Sequence, residues 1–356
     1  MHLDDGQIPA EYNKYIGKKI SFLIGGAVLL VLLLILSISV GAVHIPLLDV
    51  VRTILGKTVS RQWNTIIWNI RLPQALTGMV AGVGLAVAGV AMQSILRNPL
   101  GSPFTLGISH AAAFGAAFAV MILGTGAMHS TGADAVSITN PSVTTISAFI
   151  FCLIATGIII AISKLRSASP EVMVLAGVAL GSLFTAGTMF LQYFADDVQL
   201  AAMIFWTFGD VARASWRELA FMSVVVALSV AYFTLHRWDY NAIDAGDETA
   251  KGLGVRVERV RLWGMLCASF VTAIIVAFLG IIGFVGLVCP HMVRRLIGDD
   301  HRFLIPGTCV MGGALLLSAD TTARLMLAPH ILPVAILTAF LGAPVFLYLI
   351  IKGYRR

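Results

Sequence analysis

Residues 71–101 read RLPQALTGMVAGVGLAVAGVAMQSILRNPLG. Between Arg71-Leu72-Pro73 and Arg97-Asn98-Pro99 lie about twenty small and apolar residues, the length of one membrane span. Gly78, Ala81, Gly82, Gly84, Ala86, Ala88 and Gly89 crowd its interior. Lipid supplies no hydrophobic drive for helices to associate, so small residues matter there because they let backbones approach closely. A plain anchor has no need of such a surface. The stretch predicts a helix packed inside a bundle, with a basic group at each end.

The rest of the chain agrees. Of 356 residues 58% are hydrophobic and 12% charged, against roughly 25% charged in soluble domains. The fold class is an all-α polytopic membrane protein of about ten transmembrane helices. The expected spans are 20–42, 72–95, 105–124, 143–163, 172–194, 216–235, 262–280, 284–297, 304–326 and 332–351, the eighth short enough to be a half-span. A single transmembrane domain is expected over 20–351, with polar tails at 1–19 and 352–356. The first span lacks a small-x-small cleavage site and reads as retained, not as a signal peptide.

The net charge of +6 does not point to nucleic acid, because its distribution is that of a membrane protein. With the N-terminus inside, alternate loops collect Lys14, Lys18 and Lys19, then Arg97, Lys164 and Arg166. They continue with Arg237, Lys251, Arg256, Arg259 and Arg261, then Arg294, Arg295 and Arg302, and end on Lys352, Arg355 and Arg356. That is 17 of the 24 basic residues on one face. The positive-inside rule then places both termini in the cytoplasm, which needs an even number of spans. Cys152, Cys267, Cys289 and Cys309 lie in apolar segments at irregular spacing and read as packing residues, without a disulfide framework or metal motif.

Two hydrophilic stretches stand out. Residues 125–142 hold no basic residue and read as an outside loop. Residues 236–261 form the longest charged segment, on the inside face. Within it Asp244 or Gly246 can cap a short helix beginning Asp247-Glu248, which Gly252 and Gly254 can end. Such a helix has the form of a docking element. The chain also repeats itself: Gly89, Pro99 and Gly107 recur 191 positions later as Gly280, Pro290 and Gly298, and Arg71-Leu72 recurs as Arg261-Leu262. An odd number of spans separates the copies, so the repeat is inverted, the pattern of a transporter.

Ion-coupled carriers need ionisable groups inside the bilayer. The expected spans are nearly free of them; the exceptions singled out are His110, read as a packed and hydrogen-bonded residue, and Asp320, four residues before Arg324 and able to pair with it. No GxxxxGK[ST] loop occurs, so the chain is expected not to be an enzyme and to draw on a separate ATPase. The segment around 240–260 is where that ATPase would dock. An ion-coupled secondary transporter with inverted-repeat architecture is the alternative.

RLPQ (71–74), GVAMQSILRNPLGSPFTLG (89–107), LAGVALG (175–181), WTFGD (206–210), GDETAKGLGV (246–255), IGFVGLVCPHMVRRLIGDDHR (282–302), ADTTAR (319–324) and LPVAILTAFLGAPVFLYLI (332–350) together resemble the FecCD family of type II ABC-importer permeases. That resemblance covers about residue 30 to the end. It implies import of a metal chelate (iron–siderophore, haem or cobalamin) by a permease homodimer, two ATPase copies and an extracytoplasmic binding protein. It implies no resident metal, cofactor or catalytic residues. By the same resemblance Arg71 and Arg324 receive carboxylates of the binding protein. Gln74 stands where relatives often carry arginine and removes one cation from that patch. Gly246, Ala250, Leu253 and Gly254 would form the ATPase-docking surface with Asp247 and Glu248 capping, and Ser167 and Ser169 would lie at the inner gate.

Overall fold

The computed structural model describes residues 10–41, 43–57, 59–128, 136–138, 140–165, 169–327 and 330–353. In chain order the helices are α1 (Ala10–Ser39), α2 (Leu47–Ile54), α3 (Arg61–Ile66), α4 (Leu72–Ile95), α5 (Ile108–Met121), α6 (Pro141–Leu165), α7 (Pro170–Phe194) and α8 (Asp197–Thr207). They continue with α9 (Trp216–Leu235), α10 (Arg237–Asp244), α11 (Asp247–Gly252), α12 (Val257–Leu279), α13 (Val285–Ile297), α14 (His301–Met326) and α15 (Val334–Gly353). A short antiparallel ribbon, β1 (Gly126–Met128) with β2 (Val136–Ile138), lies in the segment read as an outside loop. Among the described residues seven helices are long and apolar enough to cross a membrane, counting α3 and α4 as one; α5 and α15 are shorter apolar helices, and α13 has 13 residues.

The opening stretch forms α4, the most buried of the seven. It runs on from α3 without a break, through one π-helical turn at Ile67–Arg71 that places Arg71 at the helix entrance. Its glycines are where neighbours touch. A Cβ on Gly82 would stand 2.2 Å from the carbonyl oxygen of Gly312 in α14, and one on Gly89 would stand 1.9 Å from that of Gly286 in α13. These are backbone-to-backbone contacts that no side chain can share. The core around α4 is built largely from Ala, Val and Ile, with α12 and α14 packed on opposite sides.

The two halves follow one order of element lengths. α4, α5, α6 and α7 have 24, 14, 25 and 25 residues; α12, α13, α14 and α15 have 23, 13, 26 and 20. The residue matches at a fixed offset do not carry that equivalence. Gly89 is mid-helix where Gly280 ends α12, and Pro99 is in a turn where Pro290 is inside α13. Gly286 sits in the first turn of α13 against Leu85 of α4. The third expected span is also only the half-helix α5, because residues 96–107 leave α4 in successive turns. That stretch contains Arg97 at φ 46° and Gly107 at φ 76°.

Candidate functional site

Polar groups gather at both ends of the bundle. At the end where α1 finishes, the Arg71 guanidinium donates from Nη1 to the carbonyls of Ile38 (2.8 Å) and Ser39 (2.9 Å) and from Nη2 to that of Val43. It is 6% exposed. The last carbonyls of a helix have no intrahelical donor, and within a bilayer no water replaces one. Arg71 therefore closes α1. Arg324 joins it there, donating from Nη2 to Ser37 Oγ at 2.7 Å, while its Nε lies 3.0 Å from Asp320 Oδ2. Gln74 donates to the other Asp320 oxygen at 3.0 Å. The three expected docking residues thus lie in one cluster around Asp320 and the end of α1, and all are turned inward.

At the opposite, basic end the segment 236–261 forms α10 and α11. Asp247 opens α11 and takes a bidentate pair from the buried Arg261 of α12, at 2.7 and 2.8 Å; Arg97 stands 3.7 Å away. Arg261 also donates to the carbonyl of Ile95, closing the end of α4 as Arg71 closes α1. Gly246, at φ 118°, is the N-cap, and no side chain caps the helix, so Asp247 is a tie and not a cap. Glu248 is exposed and holds Lys251. Ala250 is fully buried, which removes it from the expected docking surface and makes it the residue that seats α11. Leu253, 71% exposed, and Gly254, at φ 84°, face outward. Ser169 hydrogen-bonds Glu171 at the start of α7, beside Arg97 and Asp247 in a polar cavity. Ser167 lies outside the described residues.

A second knot lies beside α11. His301 Nε2 is 3.0 Å from Asp244 Oδ2 and 3.1 Å from Ser94 Oγ, joining α14, α10 and α4. Arg294 of α13 approaches the same carboxylate at 3.7 Å. Asn241 accepts from the His301 backbone N–H and donates to Asp300, which caps α14 by accepting from the Arg302 N–H. Burial pushes the Asp244 carboxyl up, but hydrogen bonding and charge from His301, with Arg294 near, hold it below its ordinary value. For Asp300, burial is outweighed by the hydrogen bonds from Arg302 and Asn241, leaving it at about 2.

The signature of the FecCD transport family matches residues 29–352. The chain belongs to that family. It is 55% identical over 352 residues to a protein of Methanocaldococcus jannaschii described as an ABC transporter permease, covering 98% of this chain and 99% of that one. It is 36% identical to the hemin transport system permease of Yersinia pestis, over 91% of this chain and 93% of that one. A solved structure described as a metal-chelate type ABC transporter in an inward-facing conformation matches with a TM-score of 0.81 at 29% identity, over 93% of this chain and 99% of the other. This is a multi-span membrane permease of an ABC transporter family.

Sequence reading of this FecCD permease missed Ser94, His301 and Arg213. Arg213 donates to the carbonyls of Phe205, Trp206 and Phe208 and closes α8 as Arg71 closes α1. The Asp320–Arg324 pair was legible from its i, i+4 spacing. His110 packs on Phe104, but its Nδ1 has no hydrogen-bond partner among the described residues, contrary to the expected hydrogen bond.

Proposed function

We propose that this chain is the membrane-spanning subunit of an importer that moves a metal chelate (iron–siderophore, haem or cobalamin) into the cytoplasm by alternating access. Two copies pair around the path, two ATPase subunits drive them, and an extracytoplasmic binding protein delivers the solute. The basic face is cytoplasmic, as are both termini, in the inner membrane. The observation that carries the reading is the construction of α11. Its root is tied to α12 by Asp247 and Arg261, and its tip offers the exposed, apolar Leu253. A rigid root transmits force, and an exposed apolar tip on a charged face suits a partner groove. Gly246 and Gly254 set the direction of the turns on either side.

Binding-protein docking is assigned to the opposite end, at Arg71, Gln74 and Arg324. There a partner carboxylate takes a guanidinium only by displacing the end of α1, so docking loosens that end. Reconstitution in liposomes tests the function. Uptake of a chelate is expected only with ATP, the cognate ATPase and the binding protein all present. Uptake by the chain alone under a proton or sodium gradient would overturn it in favour of a secondary carrier.

A further inference from the structure

Two half-helices contribute their first turns to one small space. α5 starts at Ile108 and α13 at Val285; Ser109, from the first turn of one, and Gly286, from the first turn of the other, line a single half-open nook. Leu85, fourteenth of the twenty-four residues of α4, lines it too, which sets the nook near the middle of that span. The nook measures about 20 Å³, room for one water or one small ionic group. Neither helix has a side-chain cap. The first N–H groups of a helix lack acceptors one turn back and carry a partial positive charge; in α13 the Val285 and Leu287 N–H groups donate to the Gly283 and Phe284 carbonyls, which leaves that of Gly286, a residue of the lining. Within a bilayer, half-helix N-termini are used in this way to face anionic groups.

A side chain points to the same occupant. Thr272 of α12 is 3% exposed and lines the nook, and its hydroxyl has no hydrogen-bond partner among the described residues. A buried hydroxyl without a partner is costly, so the group calls for something to hold. Ser102 and Ser109, each 3% exposed, add two further hydroxyls. No carboxylate is among the described residues of the lining. Phe284, which precedes α13 at φ 67°, is held in a conformation that non-glycine residues rarely adopt. It lines both this nook and an apolar groove of about 640 Å³ along α15, as do Phe104 and Gly283.

We infer that the nook, formed by the N-termini of α5 and α13 with Thr272, Ser102 and Ser109, binds one compact, singly charged anionic group. The group is a carboxylate carried by a solute in the adjoining groove or a free halide. The first source deepens the importer reading and rests on it; the halide affinity does not.

The test uses the full-length permease with its ATPase, crystallised in bromide. An anomalous bromide peak is expected within hydrogen-bond distance of Thr272 Oγ1, retained in Thr272→Ser and lost in Thr272→Val, with melting temperatures confirming that both variants fold. Water density alone, or a peak that survives in Thr272→Val, overturns the site. Uptake by the reconstituted complex separates the sources. A hydrogen bond to a charged group is worth about 1.5–3 kcal/mol, so Thr272→Val should slow a carboxylate-bearing chelate about tenfold or more and spare its methyl ester if the solute supplies the charge. If the occupant is a free halide, replacing chloride by gluconate should change uptake of acid and ester alike. Unchanged uptake in every arm together with an empty nook refutes the inference. ATP-driven uptake with an empty nook sinks this site alone, whereas a bromide peak without ATP-driven uptake sinks only the importer reading.

Discussion

Asp300 and His301 sit side by side at the entrance of α14 and make opposite kinds of prediction. Asp300 titrates at about 2 in the folded chain, against roughly 3.9 when unfolded. A carboxyl held low favours the folded state in its charged form. Its contribution is therefore complete above about pH 5 and fades as pH falls toward 2. The acid limb of a melting-temperature profile in detergent should flatten in Asp300→Asn, while the two proteins keep a constant difference from pH 6 to 8. His301 is 1% exposed and holds both Asp244 and Ser94. His301→Ala leaves those groups short of a partner and should cost about 1–3 kcal/mol, read as a lower melting temperature at neutral pH. His301→Gln, which keeps a polar end, should recover part of it.

Helix contacts decide the next scale. Gly82 and Gly89 face backbone oxygens of α14 and α13, whereas a Cβ on Gly25 of α1 would meet nothing within 4 Å. Gly82→Ala and Gly89→Ala should each destabilise by about 1–3 kcal/mol, since backbone cannot move aside as a flexible side chain can. Gly25→Ala should be neutral or raise stability by about 0.5–1 kcal/mol, because alanine restricts the unfolded chain. Thermal melting of the three variants side by side checks the contrast. That α4 is a close-packed helix was legible from its small residues alone, and α9 was placed residue for residue by its apolar run. What was hidden has physical reasons. α8 is too short for a span and begins at an Asp196–Gln199 capping box directly after α7, so its apolar residues merged with no recognisable period. The half-length of α5 follows from the turns at 96–107, which hydropathy averages away. The destinations of Arg71, Arg213 and Arg261 were invisible because each closes a helix in another element or across a turn. Sequence shows an arginine at a helix end but not which carbonyls it reaches.

Across the whole molecule, the basic end ties α11 to the bundle through Asp247 and Arg261, and Arg261 also reaches the last turn of α4. A displacement of α11 should thereby reach α12 and the end of the most buried helix, and through Gly82 and Gly89 α14 and α13. Attachment to an ATPase and transmission of its movement should then be separable. Leu253 is 71% exposed, so Leu253→Glu should weaken ATPase binding about tenfold or more while leaving the melting temperature within about 1 °C, as surface substitutions usually do. Asp247→Asn keeps the surface of α11 but removes the charge that pairs with a buried arginine. It should leave ATPase binding and basal hydrolysis in place while lowering solute moved per ATP. Both are measured on one preparation, by co-purification stoichiometry and by the ratio of uptake to hydrolysis in liposomes. If the two variants lose binding and transport in the same proportion, α11 is a passive anchor and the Asp247–Arg261 tie transmits nothing.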